Sequence, residues 1–163
     1  MYTVPSMVTG AVAFYFFQKH LNHEINLQKF QLHKEFQKQS FPLRLQAYER
    51  LVLFLERTNP NKLMIRVSPL SDDKIEYLHI LVQNIEQEFD HNLSQQIYVS
   101  DPCWDMVVMA KNTTLQLLRN KAVSGEIKNA RELQEAILKE GINEEHPSSA
   151  ALVYIKNEVS DLF

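Results

Sequence analysis

Cysteine occurs once in the 163 residues, at Cys103. A lone thiol closes no internal disulfide, and nothing around it has the paired spacing of a zinc site or thiol redox motif. A reducing compartment suits such a chain. Glycine is nearly as scarce, and Gly10, Gly125 and Gly141 stand far apart. Phosphate-cradling loops need clustered glycines so that backbone N–H groups can approach the anion, which excludes Walker and Rossmann nucleotide sites. Cations are not in excess either: 17 Lys and Arg face 20 Asp and Glu, for a net charge of −3. With so few spare positive charges to neutralise phosphates, nucleic-acid binding is not expected. Long alternation of apolar and polar residues is also missing, which removes the signature of half-buried strands.

What is present is a foldable helical chain. Hydrophobic residues make up 45% and charged ones 23%, too apolar a mixture for a disordered segment. The length accommodates one compact domain even after an N-terminal extension of about forty residues is set aside.

That extension begins with an uncharged run carrying Val4, Met7, Val8, Val12, Phe14, Tyr15, Phe16 and Phe17, which stops abruptly at Gln18 and Lys19. Counted from Met1, about 17 helical residues rise roughly 25 Å, at the low edge of what spans a bilayer. A cleaved signal peptide fits poorly, because no basic n-region precedes the run and QKHLNHE follows it. A buried core helix is the plainer alternative. The expectation is a membrane anchor over residues 1–18, apolar on every face. Lys19, Lys29, Lys34, Lys38 and Arg44 all follow it, so the positive-inside rule leaves the remainder in the cytoplasm.

Residues 19–40 read as a juxtamembrane amphipathic helix. Between Gln18 and Gln39 there is neither proline nor glycine, and Phe14, Leu21, Ile25, Leu32 and Phe36 fall in one narrow stripe. Such a stripe packs on one neighbour, its own domain or a second copy. Residues 41–163 then form a bundle of about five helices. Ser40 and Pro42 start the first, LRLQAYERLVLFLER, which Asn59, Pro60 and Asn61 end. Lys62 to Val67 reads equally as a helical turn or a short strand. Ser71 with two aspartates opens the next helix and Ser100, Asp101 and Pro102 another. Asn129 with Glu132 and then Gly141 bound a helix over Ala130 to Glu140. Ser148 or Ser149 caps the last.

The candidate catalytic constellations have ordinary explanations. Glu76 with His79 and Glu88 with His91 have the Glu-x-x-His spacing of di-iron bundles, but both lie on one predicted helix. Twelve residues rise about 18 Å, so the two elements cannot share a metal centre. His20, His23 and Glu24 lie within a turn of one another, yet no fourth ligand accompanies them, and polar residues at an interface explain them better. Cys103 beside Trp104 reads as core rather than as a nucleophile, which would need a base and an activating environment.

The polar stretch EFDHNLSQQIYVSD is the most informative part of the chain. If the preceding helix continues through it, Asn92 and Gln96 fall inside an apolar stripe and must pair with each other or with another helix. Arg44 falls inside the stripe of its own helix and requires a carboxylate, for which Glu88 is the first candidate. Arg44, Tyr48, Glu88, His91, Asn92, Gln96 and Trp104 are therefore the candidate polar network or partner surface.

At LRLQAYERLVLFLER and EFDHNLSQQIYVSDPCW the chain resembles a family of short Bacteroidota proteins known as a domain of unknown function. The likeness runs from Phe14 to Ala122. It implies an N-terminal hydrophobic segment ahead of a helical region and a bacterial origin; it implies no activity, cofactor or catalytic residue. The resulting expectation is an all-α, non-catalytic adaptor or accessory subunit of a larger complex. It would be anchored by a single pass in a bacterial inner membrane, contact lipid and protein partners, and need no cofactor. Two rivals remain: a soluble enzyme or metal-binding bundle using Glu88 and His91, and a homo-oligomeric scaffold built through the juxtamembrane helix.

Overall fold

The computed structural model describes residues 19, 40–143 and 146–162. The chain divides into two units, Met1–Pro42 and Leu43–Phe163, and the account below concerns the second. The uncharged run from Val4 to Phe17 and the stripe from Leu21 to Phe36 lie outside the described residues. Among the described residues every regular element is helical, and no helix is long and apolar enough to cross a membrane.

Helix α1 is described over residues 40–57 and takes in Pro42. Helix α2 spans Pro60–Arg66, which resolves Lys62 to Val67 in favour of helix: Asn59 accepts from the N–H groups of Asn61 and Lys62, and Pro60 occupies the first turn, where a missing N–H costs nothing. Helix α3, Lys74–Asn92, is capped by Asp73 rather than Ser71. The Ser71 hydroxyl instead donates to the Glu76 carboxylate. After Asn92 the chain tightens into a 3-10 turn, Leu93–Ile97, so α3 does not carry its stripe through the polar stretch.

Helix α4, Asp101–Val123, starts at the expected Ser100 cap with Pro102 in its first turn. Helix α5, Ala130–Asn143, begins on the Asn129–Glu132 pair, with the Glu132 N–H donating to Asn129 Oδ1 at 2.9 Å and Glu132 accepting from the Lys128 N–H at 2.7 Å. It runs through Gly141, which is therefore not a terminator; no described glycine has the positive φ of a left-handed C-cap. Helix α6, Pro147–Ser160, is preceded by His146 at the cap position, and Ser148 is buried in its first turn instead of capping it.

Two apolar clusters hold these helices. The first gathers Leu63 and Met64 of α2, Tyr77, Leu81 and Ile85 of α3, Leu115, Leu118 and Ala122 of α4, and Leu133 and Ile137 of α5. Fully burying each large aliphatic side chain of this kind contributes about 1.5–3 kcal/mol. The second gathers Tyr48, Leu51, Phe54 and Leu55 of α1, Cys103, Val107 and Ala110 of α4, and Ala151 and Ile155 of α6. Helix α4 belongs to both. Between its two halves Thr114 is buried, its hydroxyl satisfied by the Ala110 carbonyl at 2.9 Å. Phe89 of α3 enters the second cluster between Phe54 and Trp104, with ring centroids 5.8 Å and 5.4 Å away.

Candidate functional site

The polar groups of the second cluster converge where α1, α6 and the start of α4 meet. Glu158 is at the centre. Its Oε1 accepts from the Tyr48 hydroxyl at 2.6 Å and from the Ser100 backbone N–H at 3.2 Å, while Oε2 accepts from the Ser100 hydroxyl at 2.8 Å. Ser100 in turn accepts from the Cys103 N–H at 3.2 Å as the cap of α4. Arg44 completes the junction: Nε donates to the Tyr98 carbonyl at 3.1 Å and Nη2 to the Tyr48 hydroxyl oxygen at 3.3 Å. One carboxylate thus fastens the cap of α4 to α6 and, through Tyr48, to α1.

The electrostatics follow from this geometry. Burial disfavours the Glu158 anion, but the bonds from Tyr48 and from the side chain and backbone of Ser100 outweigh it and hold its carboxyl below the usual range. Burial, reinforced by the adjacent Glu158 carboxylate, pushes the Tyr48 phenol up to about 12. The Cys103 thiol is fully buried and is pushed up to about 12 for the same two reasons. At neutral pH a thiol so buried carries its proton.

The sequence-derived candidates separate. Arg44 and Tyr48 are joined in this junction, but Glu88 is not Arg44's partner. It sits on α3 and accepts from Arg57 at 2.8 Å and Arg66 at 3.4 Å, closing a surface cluster between α1, α2 and α3. Asn92 pairs with neither Gln96 nor another helix; its Nδ2 donates to the Glu88 carbonyl one turn back at 2.7 Å. Gln96 and His91 are exposed, because the 3-10 turn rotates the chain out of the helical register that would have buried the glutamine. Trp104 is half-buried and stacks on Phe89. His79 is exposed as well, and no cluster of three or more His, Cys, Asp or Glu among the described residues is arranged to hold a metal. His20, His23 and Glu24 lie outside the described residues.

Glu158, Ser100 and Cys103 were not assigned to this network from the sequence. A signal for Glu158 exists: at 100° per residue it lies about 20° from Ala151, at the edge of the α6 stripe that continues through Leu162 and Ile155, so an acid borders the apolar face. A carboxylate in that place needs donors from a neighbouring element.

Beside the junction an apolar groove of about 530 Å³ opens between α1 and α6, lined by Leu45, Tyr48, Glu49, Val52 and Leu53 on one wall and Ile155, Lys156 and Val159 on the other.

The model of a family of unknown function, DUF7935, matches residues 1–162. The chain belongs to that family. The match extends past Ala122, and so takes in α5, α6 and Glu158 as well as the two motifs noted above. No curated protein and no solved structure matches the chain.

Proposed function

We propose that this member of the DUF7935 family is a non-catalytic, helical adaptor or accessory subunit, anchored through residues 1–18 in a bacterial inner membrane with residues 41–163 in the cytoplasm. The observation that carries the reading is the uncharged run from Val4 to Phe17 followed at once by Lys19 and a succession of further cations. The polar junction of the helical unit commits its Glu158 carboxylate to Tyr48 and Ser100, joining α1, α4 and α6, which supports a structural role for these groups. The Leu93–Ile97 turn supplies a partner surface: Ile97 is 73% exposed and Leu93 41%, beside the exposed Ser94 and Gln96. Exposed apolar side chains beside polar ones have the composition of a protein contact.

Fractionation tests the anchor. The full chain should sediment with membranes, resist a high-salt wash and be released by detergent, and protease added to sealed inverted vesicles should digest residues 41–163. Recovery of the whole chain in the soluble fraction without detergent would refute it. Elemental analysis of the purified protein is the second check, since a stoichiometric transition metal would replace the adaptor with a metal-binding bundle.

A further inference from the structure

The groove between α1 and α6 has two walls of opposite charge at one height. Tyr48 of α1 bonds Glu158 of α6. Glu49 is the next residue along α1 and Lys156 lies two residues from Glu158 along α6, so at about 1.5 Å per residue both stand within roughly one helical turn of that bond. Both are exposed, and neither has an ion-pair partner among the described residues. Between them the lining is apolar: Leu45, Val52, Ile155 and Val159, with Leu53 still 60% exposed. Val153, one turn from Lys156 on α6, continues the apolar surface at 57% exposure.

A two-fold axis running along this groove lays α1 of one copy over α6 of the other, and α6 over α1, at unchanged height. Each Glu49 then faces the other copy's Lys156, while the apolar residues of the four helices meet in the middle. Opposite charges at one height on either side of the axis make the surface self-complementary under this two-fold. We propose that two copies of the chain dock groove to groove, forming a four-helix interface of two α1 and two α6 helices with Leu53 and Val52 at its core and two Glu49–Lys156 pairs at its rim. A different protein would need no such internal symmetry of charge. The proposal is independent of whether residues 1–18 enter lipid, and it uses a different surface from the Leu21–Phe36 stripe.

Charge reversal on the full chain, purified in mild detergent and measured by light scattering and sedimentation at micromolar concentration, tests it. The unaltered protein should weigh twice the 19.1 kDa chain. Glu49→Lys alone and Lys156→Glu alone each set like charges face to face at both rim pairs and should raise the Kd by about tenfold or more. The double variant Glu49→Lys with Lys156→Glu restores both pairs and should restore the dimer, which distinguishes a specific contact from general loss of solubility. Leu53→Asp should leave a monomer. A monomeric unaltered chain overturns the proposal, as does a dimer indifferent to all four variants or single reversals that the double variant fails to rescue.

Discussion

Around the C-terminal half of α4, Leu115, Leu118 and Ala122 pack against α2, α3 and α5 in a cluster made almost wholly of carbon. Its one large polar side chain, Tyr77, places its hydroxyl on the Val67 carbonyl at 2.6 Å. Around the N-terminal half, Cys103, Val107 and Ala110 share their surroundings with the Ser100–Glu158–Tyr48–Arg44 network beside an open groove. The same helix therefore passes from a dry block to a polar junction. The dry block can be stabilised by any well-fitting apolar side chains. The junction demands particular donors and acceptors in particular places, which fixes how α1 and α6 sit on the cap of α4 and sets the shape of the groove.

The largest effect should come from the dry block. Leu81 is fully buried, so Leu81→Ala should lose about 2–5 kcal/mol, transfer and cavity terms combined. The measurement is urea unfolding followed by circular dichroism. A loss well under 1 kcal/mol would mean that the block collapses around the vacancy and is no better packed than the junction.

Next in size is Glu158→Ala, which strands the hydroxyls of Tyr48 and Ser100 and should cost about 2–3 kcal/mol. Its pH dependence separates the two regions. The Glu158 carboxyl is lower in the folded protein than in the unfolded chain, so its contribution is complete above the ordinary carboxylate range and is lost as the pH falls through the folded value. Acid should therefore weaken the unaltered protein more steeply than Glu158→Gln, whereas Leu81→Ala should keep the unaltered slope. Parallel acid profiles for unaltered protein and Glu158→Gln would remove the carboxylate from the account.

The helices of both regions were readable in the sequence because caps are local. Ser100, and Asn129 with Glu132, each satisfy N–H groups within three residues of themselves, whereas Asn59, read as the end of one helix, proves to cap the next. Where several candidates crowd together the local rule selects less well: Asp73 displaced Ser71, and His146 took the cap position from Ser148 and Ser149. The junction was half legible. Arg44 stood out as a cation inside an apolar stripe, but its surroundings are set by which helices meet. Tyr48 and Glu158, 110 residues apart, are brought together only by the packing of α1 and α6. The burial of Gln96 was conditional on α3 continuing past Asn92, and a single 3-10 turn there removes the condition.

A smaller effect compares the two tyrosines. Tyr48→Phe removes one hydrogen bond to Glu158 and should cost about 1 kcal/mol, as should Tyr77→Phe, which frees the Val67 carbonyl. Both phenols are pushed up to about 12, by burial at Tyr77 and by burial together with Glu158 at Tyr48. Because the folded values lie above the unfolded one, their contribution is intact below pH 10 and is lost as the pH rises toward 12. Alkali should thus weaken both regions, and each Phe variant should flatten the profile by a similar amount. Acid acts on the junction through Glu158.

The smallest effect should come from the acid that most resembled Arg44's partner. Glu88 contacts two guanidinium groups, at 2.8 Å and 3.4 Å, and a count of ion pairs would rank it above Glu158. Its partners tell otherwise: the Arg57 side chain is 54% exposed and that of Arg66 34%, so water and salt screen what the contacts gain. Glu88→Gln should cost about 0.5 kcal/mol or less, and even that should fade in 1 M salt, where the Debye length is about 3 Å. Glu158→Ala should keep most of its cost in the same salt, because the stranded hydroxyls of Tyr48 and Ser100 are neutral and owe little to ionic screening. If Glu88→Gln matched Glu158→Ala in size and in salt resistance, number of contacts rather than burial would govern these carboxylates, and the contrast between a surface cluster and an interior junction would be lost.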